Sequence, residues 1–285
     1  MSQNVAVVTD STAYIPPEAL GDLNIPVIPL WVFLGDERFR DGVDLDPPGF
    51  YHRLQTGASF PTTSQPSAGE FVDFFRRVAD ETQTDTIVGI YVTSKLSGTM
   101  ASAEAAQTQL PELNITNIDS LMTSMAQGFI VLAAARVAAD GGSLEEVVAA
   151  AQQVQGEMSL LFTVDTLEYL HRGGRIGGAK RLLGTALSIK PLLHMEEGIV
   201  KPLVQVRTKR KALARMLDIA EERLGNRRMA EVAIIDANSP EEGDTVAQQV
   251  RDRFDISPVY RTVLSPVIGT HGGPGTVGIA FYPER

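Results

Sequence analysis

Three short polar segments carry residue types that can hold an anion or attack a carbonyl: Asp10-Ser11-Thr12, Thr62-Thr63-Ser64-Gln65-Pro66-Ser67 and Thr93-Ser94-Lys95-Leu96-Ser97-Gly98-Thr99. Hydroxyls at a helix start suit an anion, because the first turn has unpaired N–H groups and the positive end of the dipole. Ser97, followed by Gly98 and Thr99, is the sharpest candidate, with Thr63 and Ser64 next. The same residues also read as local structure, Ser67 and Ser97 as helix caps and Thr63 as a turn former. His271 sits in PVIGTHGGPGT, which starts at Pro266. This reads as a loop whose glycines let backbone approach a ligand closely, and Thr270 stands beside the histidine. Ser97, His271 and Asp10 are also the residue types of a nucleophile, base and orienting acid, an arrangement that geometry alone can establish.

Two glycine-rich matches do not hold. GPGTVG at Gly273–Gly278 satisfies the dinucleotide fingerprint, yet only seven residues follow, too few for the required helix and strand. GGRIGGAK at Gly173–Lys180 places Ala179 where a phosphate-binding loop needs its lysine. No GxSxG elbow, SxxK pair or calcium loop is present in the sequence. Zero cysteines remove disulfides, thiolate chemistry and iron–sulfur clusters. The four histidines (His52, His171, His194, His271) form no ligand pair, so no metal or other cofactor is expected.

The elements that must position these residues follow from periodicity and punctuation. Val5–Val8 reads as a strand, and Pro16-Pro17-Glu18 then opens a helix. Pro26–Leu34 is a second strand, Arg38–Asp41 its return, Pro47–Gln55 a helix and Pro61–Pro66 a loop. Ser67 and Glu70 form a capping box for a helix to about Asp80. Thr86–Val92 is a fully buried strand, Asn114–Ile118 another, and Met122–Ala139 a long helix. This alternation predicts a mainly parallel, helix-covered sheet. From about residue 157 the strands Leu160–Val164, Ile189–Met195, Ile199–Val206, Glu231–Asp236, Val259–Val263 and Thr276–Tyr282 include a hairpin, so mixed or antiparallel pairing is expected. The reading is an α/β protein of two lobes, residues 1–156 and 157–285.

The 285 residues carry 25 basic and 35 acidic side chains, a net charge of −10. Tyr169–Leu217 holds eleven Lys/Arg against Glu196 and Glu197, a balance of +9, which leaves −19 on the rest. Such segregation marks either a site for an acidic ligand or partner, or a solvated basic face. General nucleic-acid binding is excluded because the other lobe would repel phosphates. The longest apolar run, Phe129–Ala135, is far short of the roughly 20 residues that cross a bilayer. The chain start lacks a secretory pattern, so a cytoplasmic location is expected.

VVTDST, PTTSQPS, SGT, LEYLHRGGRIG, LSIKPLL, VRTKRKA and IGTHGGPGTVGI, in this order along nearly the whole chain, together resemble the DegV family. The resemblance implies two α/β lobes with a long-chain fatty acid enclosed between them. It further implies a non-catalytic, fatty-acid-binding subunit that presents the carboxylate to a separate ATP-dependent fatty acid kinase subunit for acyl-phosphate formation. By motif position, Thr63 and Ser97 match carboxylate-binding hydroxyls and His271 a residue near the headgroup. Ser64, Gly98, Thr99 and Thr270 are their neighbours. Arg172 and Arg207 match residues for kinase docking or for steadying the acyl-phosphate, with Arg175, Lys180, Arg181, Lys209, Arg210 and Lys211 in the same basic stretch. No integral membrane segment is implied, and transient contact with a membrane surface is compatible with a lipid ligand. Two other functions stay open on the residues alone, a binding or regulatory protein for another anionic small molecule and a Ser97/His271 acyl hydrolase.

Overall fold

The computed structural model describes residues 5–57, 59–184 and 189–285. Met1–Asn4 and the Leu187-Ser188 start of LSIKPLL lie outside them, so the reading of the chain start is not addressed by the structure.

The amino-terminal half alternates as its pattern predicts. It contains β1 (Val5–Asp10), α1 (Pro17–Leu20), β2 (Val27–Ile28), β3 (Trp31–Leu34), β4 (Glu37–Arg40), α2 (Pro47–Thr56), β5 (Thr62–Ser64) and α3 (Ala68–Thr82). After these come β6 (Thr86–Tyr91), α4 (Thr99–Gln107), β7 (Asn114–Asp119), α5 (Ser124–Ala139) and α6 (Leu144–Glu157). Four strands form an all-parallel sheet in the order β2-β1-β6-β7. β1 and β6 are buried along their whole length, as strands covered on both faces must be.

The carboxy-terminal half contains β8 (Ser159–Thr163), α7 (Glu168–Arg172), β9 (Lys190–Glu196), β10 (Ile199–Val206), α8 (Lys209–Leu224), β11 (Met229–Asp236), α9 (Pro240–Phe254), β12 (Tyr260–Val263), α10 (Pro266–Gly272) and β13 (Val277–Pro283). Its sheet runs β10-β9-β8-β13-β11-β12, antiparallel except for the β11–β12 pair. The β9–β10 hairpin turns on Glu197 and Gly198, both with positive φ (53° and 78°). Two successive left-handed residues match the right-handed twist of the strands they join.

Layering explains why α5 is apolar on nearly every side. α3 and α4 cover the outer face of the parallel sheet, α8 and α9 the outer face of the mixed sheet, and α5 with α6 fills the space between the two sheets. α5 has no solvent face to make polar, and eleven of its sixteen residues are buried. One core cluster accordingly joins Val7 and Ile90 of the first sheet, Phe129 and Val131 of α5, and Leu160 and Ala280 of the second sheet.

Three local readings are corrected. Pro26–Leu34 is not one strand: β2 pairs in parallel with β1, Pro29 has no N–H to continue a ladder, and β3 enters a separate antiparallel sheet, β4-β3-β5. Part of the expected Pro61–Pro66 loop is β5, which pairs Val32 with Thr63 and Trp31 with Ser64. His271 lies in a helix rather than a glycine loop. Ser265 caps α10 by accepting the Ile268 N–H at 3.4 Å, and Pro266 occupies its first turn, where a missing N–H costs nothing.

Candidate functional site

β1, β6 and β7 end side by side, and the turns that follow them form one wall of a cavity. Thr12, Ser97, Thr123 and Ser124 come from those turns and from the first residue of α5. In open parallel sheets this carboxyl edge is where ligands bind. The opposite wall belongs to the mixed sheet, with Leu160, Phe162, Met195, Val200 and Ile235 from four of its strands. β5 and α10 supply Thr63, Ser64 and His271. The non-atom space amounts to about 910 Å³, open mouth included. Most of the surface it exposes is apolar.

The polar groups are linked through short contacts. Thr63 Oγ1 lies 2.9 Å from His271 Nε2. The other ring nitrogen, Nδ1, is buried without a partner, and it packs so closely on Gly173 that a Cβ there would approach it to 2.1 Å. Only glycine fits at that position. Arg175 donates from Nη1 to the Gly173 carbonyl at 2.7 Å and from Nε to the Leu96 carbonyl at 3.0 Å, which ties the Gly173 turn to the residue preceding Ser97. Ser97 Oγ is 2.8 Å from Thr99 Oγ1 and accepts the Thr99 N–H at 3.3 Å, at the start of α4. Gly98 admits the Gln65 amide, which a Cβ would meet at 2.9 Å.

Burial, reinforced by the Arg175 guanidinium, pushes the His271 imidazole down to about 4, so the ring is neutral near pH 7. A neutral imidazole, two hydroxyl groups and one permanently charged guanidinium make a patch able to bind an anion.

Thr63, Ser64, Ser97 and His271 share this one cavity, and Gly98 and Thr99 sit immediately behind Ser97. Thr270 does not line it: its hydroxyl donates to the Pro266 carbonyl within α10 at 2.9 Å. The hydrolase arrangement is not assembled. Ser97 bonds Thr99 rather than His271, and Asp10 lies elsewhere, its carboxylate accepting Thr12 N–H at 2.9 Å and Val92 N–H at 2.7 Å. Burial raises the Asp10 pKa, which those bonds oppose.

Arg172 and Arg207 lie outside the cavity lining. Arg172 is exposed at the end of α7, paired with Glu168 at 3.0 Å and stacked 5.1 Å from the Phe60 ring. Arg207 is exposed between β10 and α8 and has no ion pair among the described residues. Lys209, counted with the basic stretch in the sequence, is engaged by Asp165 and Glu242 and is not a free surface cation. Sequence reasoning passed over Arg175, Thr123 and Ser124 as cavity residues. Arg175 stood among eleven cations without distinction, and the Thr123-Ser124 pair looked like an ordinary helix start.

The family model described as uncharacterised protein, DegV family, matches residues 4–284. A DegV domain-containing protein of Streptomyces coelicolor is 40% identical over 280 residues, covering 98% of each chain. Among solved structures, a DegV family protein from Thermus thermophilus, described for its fatty acid binding, superposes with a TM-score of 0.92 at 34% identity, covering 99% of this chain and 100% of that one. DegV of Bacillus subtilis, described as a fatty acid binding protein, gives 0.90 at 33% identity with the same coverage. The motifs, the two-sheet architecture and these similarities agree: the chain belongs to the DegV family.

Proposed function

We propose that this protein binds a long-chain fatty acid in the cavity between its two sheets and presents the carboxylate to a separate ATP-dependent kinase subunit. It acts in the cytoplasm, requires no cofactor and performs no chemistry alone. The observation that carries the reading is the form of the cavity: a mostly apolar surface whose lining also holds Thr63, Ser97, His271 and Arg175. A carboxylate there meets hydroxyl donors, a guanidinium and the amino terminus of α4, all of which favour negative charge. Each methylene buried adds about 0.8 kcal/mol, so some fourteen methylenes contribute roughly 11 kcal/mol before ordering costs. The fatty acid binding described for the Thermus thermophilus and Bacillus subtilis relatives supports the ligand class. The kinase partner rests on the family resemblance and on the exposed cations around Arg172 and Arg207.

Mass spectrometry of the purified protein, native and after organic extraction, tests the first half. A stoichiometric long-chain acid is expected, and replacing Ser97 by Ala with Thr63 by Val should weaken retention roughly tenfold to a hundredfold. An empty protein that also refuses added fatty acid would point instead to a different anionic ligand. Turnover of activated esters that disappears in Ser97→Ala would establish a hydrolase.

A further inference from the structure

The Thr63–His271 contact joins two elements that the chain supplies separately: β5, an edge strand of the three-stranded sheet, carries Thr63, and α10 carries His271. One buried carboxylate lies at the joint between them. Asp41 directly follows β4 and is 1% exposed. Its N–H donates to the Leu30 carbonyl at 2.9 Å, just ahead of β3, the strand that pairs with β5. Its Oδ2 accepts the Ser11 hydroxyl at 2.8 Å, and Ser11 Oγ in turn accepts the Leu30 N–H at 3.1 Å. Its Oδ1 accepts the Val267 N–H at 3.4 Å, in the first turn of α10.

No Lys or Arg pairs with this carboxylate among the described residues. Burial pushes it up to about 7, and the hydrogen bonds from Ser11, Ser265 and the Val267 N–H oppose that rise. A carboxylate buried without a cation costs stability, and hydrogen bonds to its oxygens are what make the position tolerable. The amino-terminal end of α10 also favours an anion beside it. Asp41 does not line the cavity that holds Thr63 and His271, so it reaches a ligand there only through the elements it joins. We infer that Asp41 is a positioning residue: by clamping the root of the three-stranded sheet to the first turn of α10, it sets the Thr63–His271 spacing and with it the affinity for the ligand's carboxylate. This inference rests on the fatty-acid reading above.

The test is a double-mutant cycle for stearate binding to the delipidated full-length protein, with wild type, Asp41→Asn, His271→Gln and the double variant. Asp41→Asn keeps the side-chain shape but leaves one acceptor oxygen where the donors of Ser11, Ser265 and Val267 converge. Each single variant is expected to weaken stearate about tenfold, and the double variant no more than His271→Gln alone. The His271 imidazole NMR signal, assigned by its loss in His271→Gln, should move in Asp41→Asn while those of His52, His171 and His194 stay. Losses that multiply in the double variant, wild-type affinity in either single variant, or an unmoved His271 signal overturns the clamp and leaves the fatty-acid reading standing. Wild-type protein that binds no stearate overturns that reading itself. Should Asp41→Asn fail to fold, Ser11→Ala, which removes one donor to the carboxylate, takes its place in the cycle, with a loss of about threefold alone and none beyond that of His271→Gln in the double variant.

Discussion

Because its pKa is pushed down to about 4, His271 also shapes how the protein responds to acid. Between pH 6.5 and 4 the unfolded chain binds a proton at this position and the folded chain does not. The associated stability is therefore fully present above pH 6.5 and is lost as pH falls toward 4, on the order of 3 kcal/mol in all. Asp41 works in the opposite sense. Burial raises its carboxyl to about 7, so its contribution is greatest in acid and declines as pH rises through 7. The two offset each other across much of the interval, and only a comparison of variants separates them. His271→Gln is expected to lose less thermal stability than the wild type between pH 7 and pH 4.5, measured by melting curves in matched buffers. Identical profiles for the two proteins would contradict the neutral, buried assignment.

At the scale of elements, the cavity depends on how α3 is tied to β3 and thereby to β5. α3 presents Phe71, Phe74, Phe75 and Val78 to the parallel sheet at helical spacing, and all four are buried. Its capping box is complete: Ser67 Oγ accepts the Glu70 N–H at 3.2 Å, and Glu70 Oε2 accepts the Ser67 N–H at 2.7 Å. The other Glu70 oxygen accepts the Trp31 indole N–H at 2.9 Å, which links this helix start to β3. Ser67→Ala should cost about 1 kcal/mol, a fall in melting temperature of about 2 °C for a protein of this size. Glu70→Ala should cost more, because it breaks the cap and the link to Trp31 together. Equal losses for the two would mean that the Trp31 bond adds nothing.

Across the whole molecule, the two sheets share one helical layer and one continuous core cluster. We propose the division near residue 156 as a change of topology along the chain rather than a boundary between independently folding units. Calorimetric unfolding is expected as a single transition with agreeing calorimetric and van't Hoff enthalpies; two resolved transitions would show that the lobes fold separately. The charge distribution also belongs to this scale. Arg207, Arg210 and Lys211 are exposed and free of ion pairs among the described residues, on a molecule otherwise strongly acidic. Rim charges of this kind act mainly on association rate and salt dependence. Arg207→Ala is expected to leave fatty-acid retention unchanged, to slow acyl-phosphate formation with a cognate kinase, and to flatten its dependence on ionic strength. Equal rates in mutant and wild type would remove Arg207 from the docking surface.

The sequence by itself determined the alternation of elements in the first half, the β9–β10 hairpin and both capping boxes. These are local, set by side-chain period, by Gly and Pro, and by Ser/Glu spacing within one turn. It also singled out Thr63, Ser97 and His271, through small polar residues at strand ends and through resemblance to a family. Only the tertiary structure decided that these residues share a cavity, since 208 positions separate Thr63 from His271 and no local pattern records their 2.9 Å contact. It alone divided Pro26–Leu34 between two sheets, because a strand's partner is chosen by packing and not by propensity. Arg175 and the Thr123-Ser124 pair emerged in the same way. Their residue types are ordinary, and what distinguishes them is enclosure: a guanidinium held by two carbonyls, and two hydroxyls buried in the cavity wall with no partner among the described residues.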